Sequence, residues 1–572
     1  MKLITGAPGA GKTNRLVTEI RGRLAKGVSP YVILATTFSR QAALEISERL
    51  EGEVPVRTIH GTGYWLMRLA RNARGEQVPT VISEDKTLAL IDRATMELGV
   101  KYVEPRQVMQ DMERIRSRGG KFEALHPQVQ QVIHRYFQIL HAENLVDFTG
   151  ILEECVKELE NPDLCEFLKG IHVFVDEGQD VNPVTEWPIL EALLQGASDF
   201  VMLASPSQQI YGFRGADWEK LVLGFPDDLQ TETMRENHRS TPEIVSAARP
   251  LAGPDASEML AMRTSLGIPV IAVDAMNPEM EMDYVGSQLR MWLDWCQPED
   301  LPLSEIAVLT RVHAQHNRLQ IILRNRGIPY QIVGTEKNIF QREETLAILG
   351  YLRLALDPMD DTVLESIVNY PMCGIGTRTR FRLRQDDVMT WDHLIAALAH
   401  PGHFREQVVR RVHQILDLRE ILDDLRNMEV PPIHLVTKTM QLSGVSGYLN
   451  SEGDFAASRA LNDLASTCTE FNTLGQFVEY LEGEVRRPRE AEGIQLSTLH
   501  ASKGREWRAV IIPGFEDGLL PLEGSDGKEE QNLAFVGMTR AKDHLVLTMS
   551  RANPMSPFLT RLPLTHIQWP RL

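Results

Sequence analysis

TGAPGAGKT, at residues 5–13, combines a glycine-rich loop with a lysine and a threonine at fixed spacing. It follows a short apolar segment, Lys2–Thr5, that predicts a strand, and it precedes a predicted helix from Thr13 to Leu24. In the spacing G-x-x-x-x-G-K-T the glycines let backbone N–H groups approach phosphate oxygens, and the helix N-terminus adds positive potential. The alternative, a chance glycine turn before a surface helix, is disfavoured by the correct flanking elements. The residues expected to bind a nucleoside triphosphate are Gly6, Ala7, Pro8, Gly9, Ala10, Gly11, Lys12, Thr13 and Asn14.

A second apolar run, IHVFVDEGQD at residues 171–180, supplies the acidic residues that such a loop needs. The run has the length of a buried strand, and Asp176 and Glu177 follow it directly. We expect Asp176 and Thr13 to hold Mg²⁺, and Glu177 to act as the base that orients the attacking water. Lys12 is expected to reach the terminal phosphates. An Asp-Glu pair after a strand is by itself as often a solvated turn, but together with Lys12 it indicates phosphoryl transfer.

Composition bounds the other possibilities. A chain of 572 residues is too long for one hydrophobic core, and about 150 residues per domain gives roughly four domains. No apolar stretch approaches the ~18 residues of a membrane span and the N-terminus lacks a signal-peptide pattern, so we predict a cytoplasmic protein with no membrane partner. A net charge of -18 argues against a uniformly basic surface but leaves room for a local basic groove. The five cysteines show no metal-ligand spacing, so neither zinc nor disulfides are predicted.

Further segments accompany these two along the chain. They are ILATTFSRQAALEI (33–46), RTIHGTGYWLMR (57–68), VMLASPSQQIYGFRGAD (201–217), RENHRST (235–241), IAVLTR (306–311), GIPYQIVGTEKNIFQREE (327–344), STLHASKGREW (497–507) and EEQNLAFVGMTRA (529–541). In this order the segments resemble the motifs of the UvrD/Rep/PcrA-like superfamily 1 DNA helicases, and the resemblance covers most of the chain. A chance similarity would not keep this order.

The resemblance implies an α/β fold with two RecA-like P-loop domains that have parallel sheets, each carrying a mainly helical inserted domain. Residues 1–75 and 145–243 are expected to form the first RecA-like ATPase domain, with 76–144 as its helical insertion. Residues 244–362 and 491–572 are expected to form the second, with 363–490 as an insertion that binds duplex DNA or regulates the motor.

The same resemblance assigns roles around the nucleotide. It implies that Arg239 and Arg540 stabilise the negative charge that spreads over the γ-phosphoryl oxygens during transfer. Gln208 would sense the γ-phosphate and couple it to DNA, and Glu506 would contact the ribose. Because Arg540 is far along the chain from Lys12, one ATP site would draw on both ends of the chain and two lobes would close on it.

A second set of residues is implied to face single-stranded DNA. Bases stack on aromatic faces without sequence preference, and the resemblance puts Phe38, Tyr211 and Phe213 in that position. It places His60, Tyr64 and His500 along the DNA channel. Aromatic residues at strand ends are more often core packing, which is the alternative for these positions.

The segment GIGTRTRFRLR, residues 374–384, carries arginines at alternate positions, namely Arg378, Arg380, Arg382 and Arg384. In the family a turn of this type begins the second inserted domain, and such a cluster would contact duplex backbone without sequence preference. A solvated basic face is an equally good interpretation of the charge pattern alone.

The sequence also departs from the family pattern. Only five residues precede Gly6, so we expect the segment that reads adenine in the family to be absent. His238 stands where the family usually has a tyrosine that stacks on the base. We therefore expect weaker discrimination of ATP from other nucleoside triphosphates. Ser205 stands where the third motif usually has an aspartate, but Gln208 is retained, so we expect hydrolysis to survive. About thirty residues follow Arg540, too few for a nuclease domain, and any nuclease activity would come from a partner.

These observations predict an ATP-dependent and Mg²⁺-dependent helicase that moves on single-stranded DNA, acts at single/double-strand junctions and, by resemblance, travels 3'-to-5'. One alternative keeps the motor but makes it a subunit of a repair, recombination or defence complex that strips proteins or feeds a partner nuclease. A degenerate DNA-binding scaffold would fit the altered third motif. A small-molecule P-loop kinase would explain TGAPGAGKT but not the motifs near the other end of the chain.

Overall fold

The computed structural model describes residues 1–100, 103–296, 301–333, 340, 342–371, 383, 389–399, 406–427, 430–451, 455–469, 471–486, 492–563 and 567–570. The chain forms two compact units. The first consists of Met1–Gln288, Pro298–Arg311 and Ser497–Leu572, and the second of Leu289–Gln297 and Val312–Leu496. The domain boundaries expected from the sequence are finer than this division and stay predictions.

Strands and helices alternate along much of the chain. The strands are β1 (Lys2–Gly6), β2 (Ile33–Thr37), β3 (Val56–Thr58), β4 (Thr80–Val81), β5 (Leu145–Val146), β6 (His172–Val175), β7 (Asp199–Ala204), β8 (Gln230–Met234), β9 (Glu236–Asn237), β10 (Leu260–Ala261), β11 (Val270–Ala275), β12 (Ile306–Thr310), β13 (Tyr330–Ile332), β14 (Ile494–Thr498), β15 (Trp507–Ile512), β16 (Ala541–Ser550) and β17 (Ile567–Gln568). The helices are α1 (Lys12–Leu24), α2 (Arg40–Arg49), α3 (Ile59–Ala73), α4 (Glu84–Leu98), α5 (Pro105–Arg118), α6 (Pro127–Ala142), α7 (Phe148–Glu158), α8 (Pro162–Leu168), α9 (Trp187–Gly196), α10 (Trp218–Val222), α11 (Pro242–Ala248), α12 (Pro278–Cys296), α13 (His313–Asn325), α14 (Glu343–Leu356), α15 (Leu364–Ile367), α16 (Trp391–Ala399), α17 (Glu406–Asn427), α18 (Pro432–Leu442), α19 (Val445–Ser451), α20 (Phe455–Cys468), α21 (Leu474–Arg486) and α22 (Gly527–Met538).

The first sheet has the order β3-β2-β6-β7-β1-β8 and is parallel at every pairing. Successive strand residues point to opposite faces, and both faces are buried here. Ile4, Phe174 and Leu203 pack on one face with residues of α1 and α2. Leu3, Val173 and Met202 pack on the other face with residues of α3, α7 and α9. Because all six strands run in one direction, their carboxyl ends lie along one edge of the sheet.

The second sheet is also parallel. In the first unit its strands follow the order β12-β15-β16-β11-β17. Val510, Leu547 and Ala272 belong to its core, which also contains Leu533 and Phe535 of α22. In the second unit, β13 pairs with β14 in parallel. Two parallel sheets with helices confirm the α/β fold class with two RecA-like domains.

The expected insertions are mainly helical. Within residues 76–144, α4, α5 and α6 share a core that includes Ile91, Met112 and Tyr136. In the second unit, the helices from α14 to α21 bury a large core that includes Leu352, Leu418 and Phe477. Within the described ranges, no helix is both long and apolar enough to cross a membrane.

Candidate active site

The glycine-rich loop joins β1 to α1 at the carboxyl edge of the first sheet. Strand β1 ends at Gly6 and α1 begins at Lys12, one residue beyond and one residue before the predicted ends. Gly9 and Gly11 have φ values of 71° and 75°, which L side chains rarely adopt. A Cβ atom on Gly9 would also lie 2.7 Å from the Cβ of Arg239. Glycine is therefore needed both for the turn and for the close approach of Arg239.

Neighbouring residues hold the loop in place from the β8–β9 side. The amide of Ala7 donates to the carbonyl of Met234 at 3.1 Å, and the Asn237 side chain donates to the carbonyl of Pro8 at 2.8 Å. The amide of His238 donates to the carbonyl of Gly9 at 3.0 Å. This places His238, the residue expected near the base, next to the loop, where its ring lies 3.1 Å from Glu236.

Lys12 lies within the loop it follows. Its Nζ donates to the carbonyls of Gly6 and Ala7 at 3.0 and 3.1 Å. Removal from water lowers the pKa of Lys12, against the attraction of Glu177, Asp255 and Asp176. A desolvated ammonium that has only neutral carbonyls as hydrogen-bond partners favours an anionic ligand, and phosphate oxygens meet that need.

The two expected Mg²⁺ ligands lie together. The Thr13 hydroxyl donates to Oδ2 of Asp176 at 3.3 Å, at the point where α1 faces the end of β6. Burial, and then the charge of Glu177, raises the pKa of Asp176 to about 7. Magnesium is bound by oxygen ligands at about 2.0–2.1 Å, so this pair of oxygens fits the metal, whose charge would favour the ionised carboxylate.

Glu177 occupies a backbone conformation that is uncommon for a side-chain residue, with φ 56° and ψ 39°. Its carboxylate accepts a hydrogen bond from the Gln179 side chain and lies 3.8 Å from Nζ of Lys503. Burial raises the pKa of Glu177, but Lys503 and Lys12 outweigh that effect and hold it below its usual value. An ionised carboxylate in this position can accept a proton from water.

The two expected arginines approach from different directions. Arg540 precedes β16 and is buried, with Nε donating to the carbonyl of Val536 and Nη1 to that of Arg505. Its buried Nη2 has no hydrogen-bond partner, and burial together with Arg239 lowers the pKa of Arg540 to about 9. A buried guanidinium nitrogen without an acceptor indicates a place for an anion.

Arg239 is held on the other side. Its Nε donates to Oε2 of Glu506 at 2.6 Å and its Nη1 to the carbonyl of Thr539 at 3.2 Å. Glu506 and Arg540 immediately precede β15 and β16, so the amino edge of the second sheet supplies both. The structure thus brings together the expected nucleotide residues from both sheets.

Lys503 lies within STLHASKGREW and is a site residue that the sequence alone did not predict. Its Nζ forms an ion pair with Asp180, and it donates to the carbonyl of Gln208 at 2.9 Å. Burial lowers the pKa of Lys503, but the charges of Asp180 and Glu177 outweigh that effect and hold it above its usual value. Burial raises the pKa of Asp180 to about 7. Lys503 was recognisable only as a lysine in a motif, because its partners Asp180 and Gln208 lie far away in sequence.

The expected DNA-facing aromatic residues form a cluster, which we call the aromatic cluster: Phe38, Tyr211, Phe213 and His500. Phe38 and Tyr211 stack with their ring centroids 4.9 Å apart. Phe213, which is 59% exposed, lies edge-on to both Tyr211 and His500 at 6.0 Å. The guanidinium of Arg214 lies 5.5–5.9 Å from the rings of Phe38, Tyr211 and Phe213. One exposed ring and three partly buried rings beside a cation provide the type of surface on which bases stack.

His60 and Tyr64 lie one turn apart on α3. His60 stacks on Phe148, with ring centroids 3.9 Å apart, and not on a member of the aromatic cluster. Burial, followed by the charge of Arg214, lowers the pKa of His60 to about 4. His60 is therefore a neutral ring at ordinary pH. Phe148, the first residue of α7, is 55% exposed. It was not predicted from the sequence because it lies outside the motif segments.

The basic cluster of Arg378, Arg380, Arg382 and Arg384 lies outside the described residues. Its expected contact with duplex DNA stays a prediction.

Two parallel sheets whose edges bring the expected nucleotide residues together are typical of a P-loop nucleoside triphosphatase with paired RecA-like domains. The UvrD/REP helicase N-terminal domain family matches residues 1–228, and the UvrD-like helicase C-terminal domain family matches residues 233–397 and 409–552. The chain belongs to the UvrD/REP helicase family and is an ATP-dependent DNA helicase.

Relatives from several bacteria match along nearly the whole chain. DNA helicase II of Escherichia coli is 30% identical over 96% of this chain and 82% of its own length. The ATP-dependent DNA helicase UvrD1 of Mycobacterium tuberculosis is 27% identical over 100% of this chain and 84% of its own. The ATP-dependent DNA helicase PcrA of Staphylococcus epidermidis is 26% identical over 98% and 84%. The sequence resemblance to this family is confirmed.

Proposed function

We propose that the protein hydrolyses ATP with Mg²⁺ to move 3'-to-5' along single-stranded DNA and to open duplexes at single/double-strand junctions. One observation carries the proposal. The Lys503 ammonium lies 3.8 Å from Glu177, pairs with Asp180 and lies 5.0 Å from the centroid of the Tyr211 ring. One side chain thus contacts both the expected catalytic base, Glu177, and the aromatic cluster. A nucleobase that displaces Tyr211 would therefore also change the surroundings of Glu177.

The residues have the following roles in hydrolysis. Glu177 orients and deprotonates the attacking water, while Lys12 contacts the terminal phosphates. Arg239 and Arg540 stabilise the charge of the γ-phosphoryl group in the transition state. Thr13 and Asp176 would hold Mg²⁺, which would supply positive charge next to the phosphates.

Tyr211→Ala is expected to weaken binding of single-stranded oligonucleotides by roughly 5- to 150-fold, because a stacked base is worth about 1–3 kcal/mol. Affinity for a fluorescent ADP analogue should stay within twofold. Fluorescence anisotropy with a labelled oligothymidylate measures the first quantity. Tyr31→Ala is the matched control because Tyr31 is 85% exposed and outside the aromatic cluster. Equal DNA affinity in the two variants would contradict the stacking role of Tyr211.

Direction is tested with tailed duplexes. Strand displacement should need ATP and a 3' single-stranded tail, and a duplex that carries only a 5' tail should stay intact. Displacement from the 5'-tailed substrate alone would contradict the proposed polarity. ATP turnover without displacement of either substrate would indicate a translocase that does not unwind DNA by itself. That result is expected for a motor that works with a nuclease or repair partner.

A further inference from the structure

A carboxylate outside the recognised motifs lies at the centre of the site. Asp255 belongs to the segment between α11 and β10, and three donors from the segment after β7 converge on it. The Ser207 amide donates to Oδ1 at 3.0 Å and the Ser207 hydroxyl donates to the same oxygen. The Ser205 hydroxyl lies 3.2 Å from Oδ2. Asp255 thus holds the short turn, Pro206–Gln208, that carries the expected γ-phosphate sensor.

The Ser205 hydroxyl faces two acceptors with one hydrogen. It lies 2.9 Å from the carbonyl of Gly6 and 3.2 Å from Asp255. A serine hydroxyl donates only one hydrogen bond at a time, so it serves either Gly6 or Asp255. The Gly6 carbonyl also accepts from Lys12 at 3.0 Å. The Gly6 carbonyl can accept from both, but a carbonyl that already accepts from an ammonium attracts a second donor less, so Lys12 favours donation of the Ser205 hydrogen to Asp255.

Movement of Lys12 changes that balance. When its ammonium turns to phosphate oxygens, the Gly6 carbonyl loses a charged donor and becomes a stronger acceptor for the Ser205 hydrogen than it was before. The Gly6 carbonyl then competes more strongly for the Ser205 hydrogen, and Asp255 also loses the nearby attraction of Lys12. Burial raises the pKa of Asp255, and the charge of Lys12 opposes that rise. The charge of Asp255 in turn raises the pKa of Lys12. The carboxylate is therefore held less firmly after phosphate binds.

Ser205 also reaches the catalytic base. Its amide donates to the Gln179 side-chain oxygen at 2.7 Å, and the Gln179 amide nitrogen donates to Glu177. On the other side, the Gly253 amide donates to the Ser207 hydroxyl at 2.9 Å. Buried polar groups connected in this way respond as one network. The chain of contacts runs from Lys12 through Ser205 to Glu177 and to the Asp255 segment.

We propose that Asp255 is a positioning residue that, with Ser205, transmits the position of Lys12 to the turn carrying Gln208 and to Glu177. This proposal rests on the proposed ATP site. Through Asp255, the Pro206–Gln208 turn responds to bound phosphate. Asp255 also places one negative charge near the triphosphate, which opposes nucleotide binding and favours product release.

The test separates affinity from turnover. Asp255→Asn should bind ATP at least threefold more tightly, because a like charge near the phosphates is removed, while kcat with saturating single-stranded DNA falls about tenfold. Ser205→Ala should lower kcat to a similar extent with ATP affinity unchanged, because no charge is removed. In the double variant the loss of kcat should equal that of Asp255→Asn alone, because both changes break one connection.

Glu258→Gln is the matched control, three residues further along the same segment and paired with Arg235 at the surface. Nucleotide binding shows that each variant is folded. The proposed role of Asp255 is wrong if Asp255→Asn binds ATP no more tightly and keeps kcat within twofold. It is also wrong if the two losses of kcat multiply in the double variant. Neither result would contradict the proposed helicase function. Absence of DNA-stimulated hydrolysis in the unaltered protein would instead contradict the proposed function. The ATP affinity of Asp255→Asn would then be the test of the charge effect of Asp255.

Discussion

Arg540→Ala lowers the kcat of DNA-stimulated ATP hydrolysis by about 10³-fold or more in our account, since an arginine placed on the γ-phosphoryl group is worth about 10³–10⁵ in rate. Arg540 is buried before β16 with its Nη2 lacking a hydrogen-bond partner. We therefore expect Nη2 to donate to the γ-phosphoryl oxygens, on which negative charge develops during transfer. ATP affinity should change far less than kcat, because that charge develops mainly in the transition state. Steady-state hydrolysis and equilibrium nucleotide binding measure the two quantities.

Arg551→Ala is the control for this change. Arg551 follows the other end of β16 and pairs with Asp274 at the surface. Arg540→Lys keeps the charge but loses the planar fork, so it should restore only part of the rate. An Arg540→Ala protein that hydrolyses ATP within tenfold of the unaltered rate, with its fold intact, would remove Arg540 from the transition state.

Glu177→Gln should lower kcat by about 10²–10⁴-fold, the usual contribution of a positioned general base. Glutamine keeps the size and one acceptor oxygen but cannot take the proton from water. The pKa of Glu177 is held low by Lys503 and Lys12, so the ionised form predominates at neutral pH. Because one negative charge is removed near the phosphates, the variant should bind ATP at least as tightly as the unaltered protein.

The control for Glu177→Gln is Glu166→Gln, which changes a carboxylate that pairs with Lys169 at the surface. It should leave hydrolysis unchanged. If Glu177→Gln retained more than a tenth of the unaltered kcat, another group would have to act as base, and Asp180 would be the next residue to replace.

Much of the fold was predictable from local patterns. The loop TGAPGAGKT constrains its own backbone through glycine and lysine spacing, and the apolar run before Asp176 has the length of a buried strand. Both appear as predicted, with the first strand and helix differing from expectation by one residue at Gly6 and Lys12. The exact ends of a strand or helix depend on the hydrogen bonds that form in the adjoining loop. The spacing of apolar residues does not determine those bonds.

The connections within the site were less predictable, because they join residues far apart in the chain. Ser205 and Asp255 are 50 positions apart, and Lys503 and Asp180 are 323 apart. The loss of an aspartate at Ser205 was visible in the sequence, but no local pattern showed that Asp255 would place a carboxylate beside it. Likewise, the stacking of His60 on Phe148 depends on how α3 and α7 pack.

Coupling of DNA binding to ATP hydrolysis is tested most directly by measuring hydrolysis by the purified protein with and without single-stranded DNA. A DNA-driven motor is expected to hydrolyse ATP at least tenfold faster with DNA, and the Tyr211→Ala variant should need more DNA for the same stimulation. Hydrolysis that is equally fast without DNA would contradict the proposed coupling through Lys503 and Tyr211.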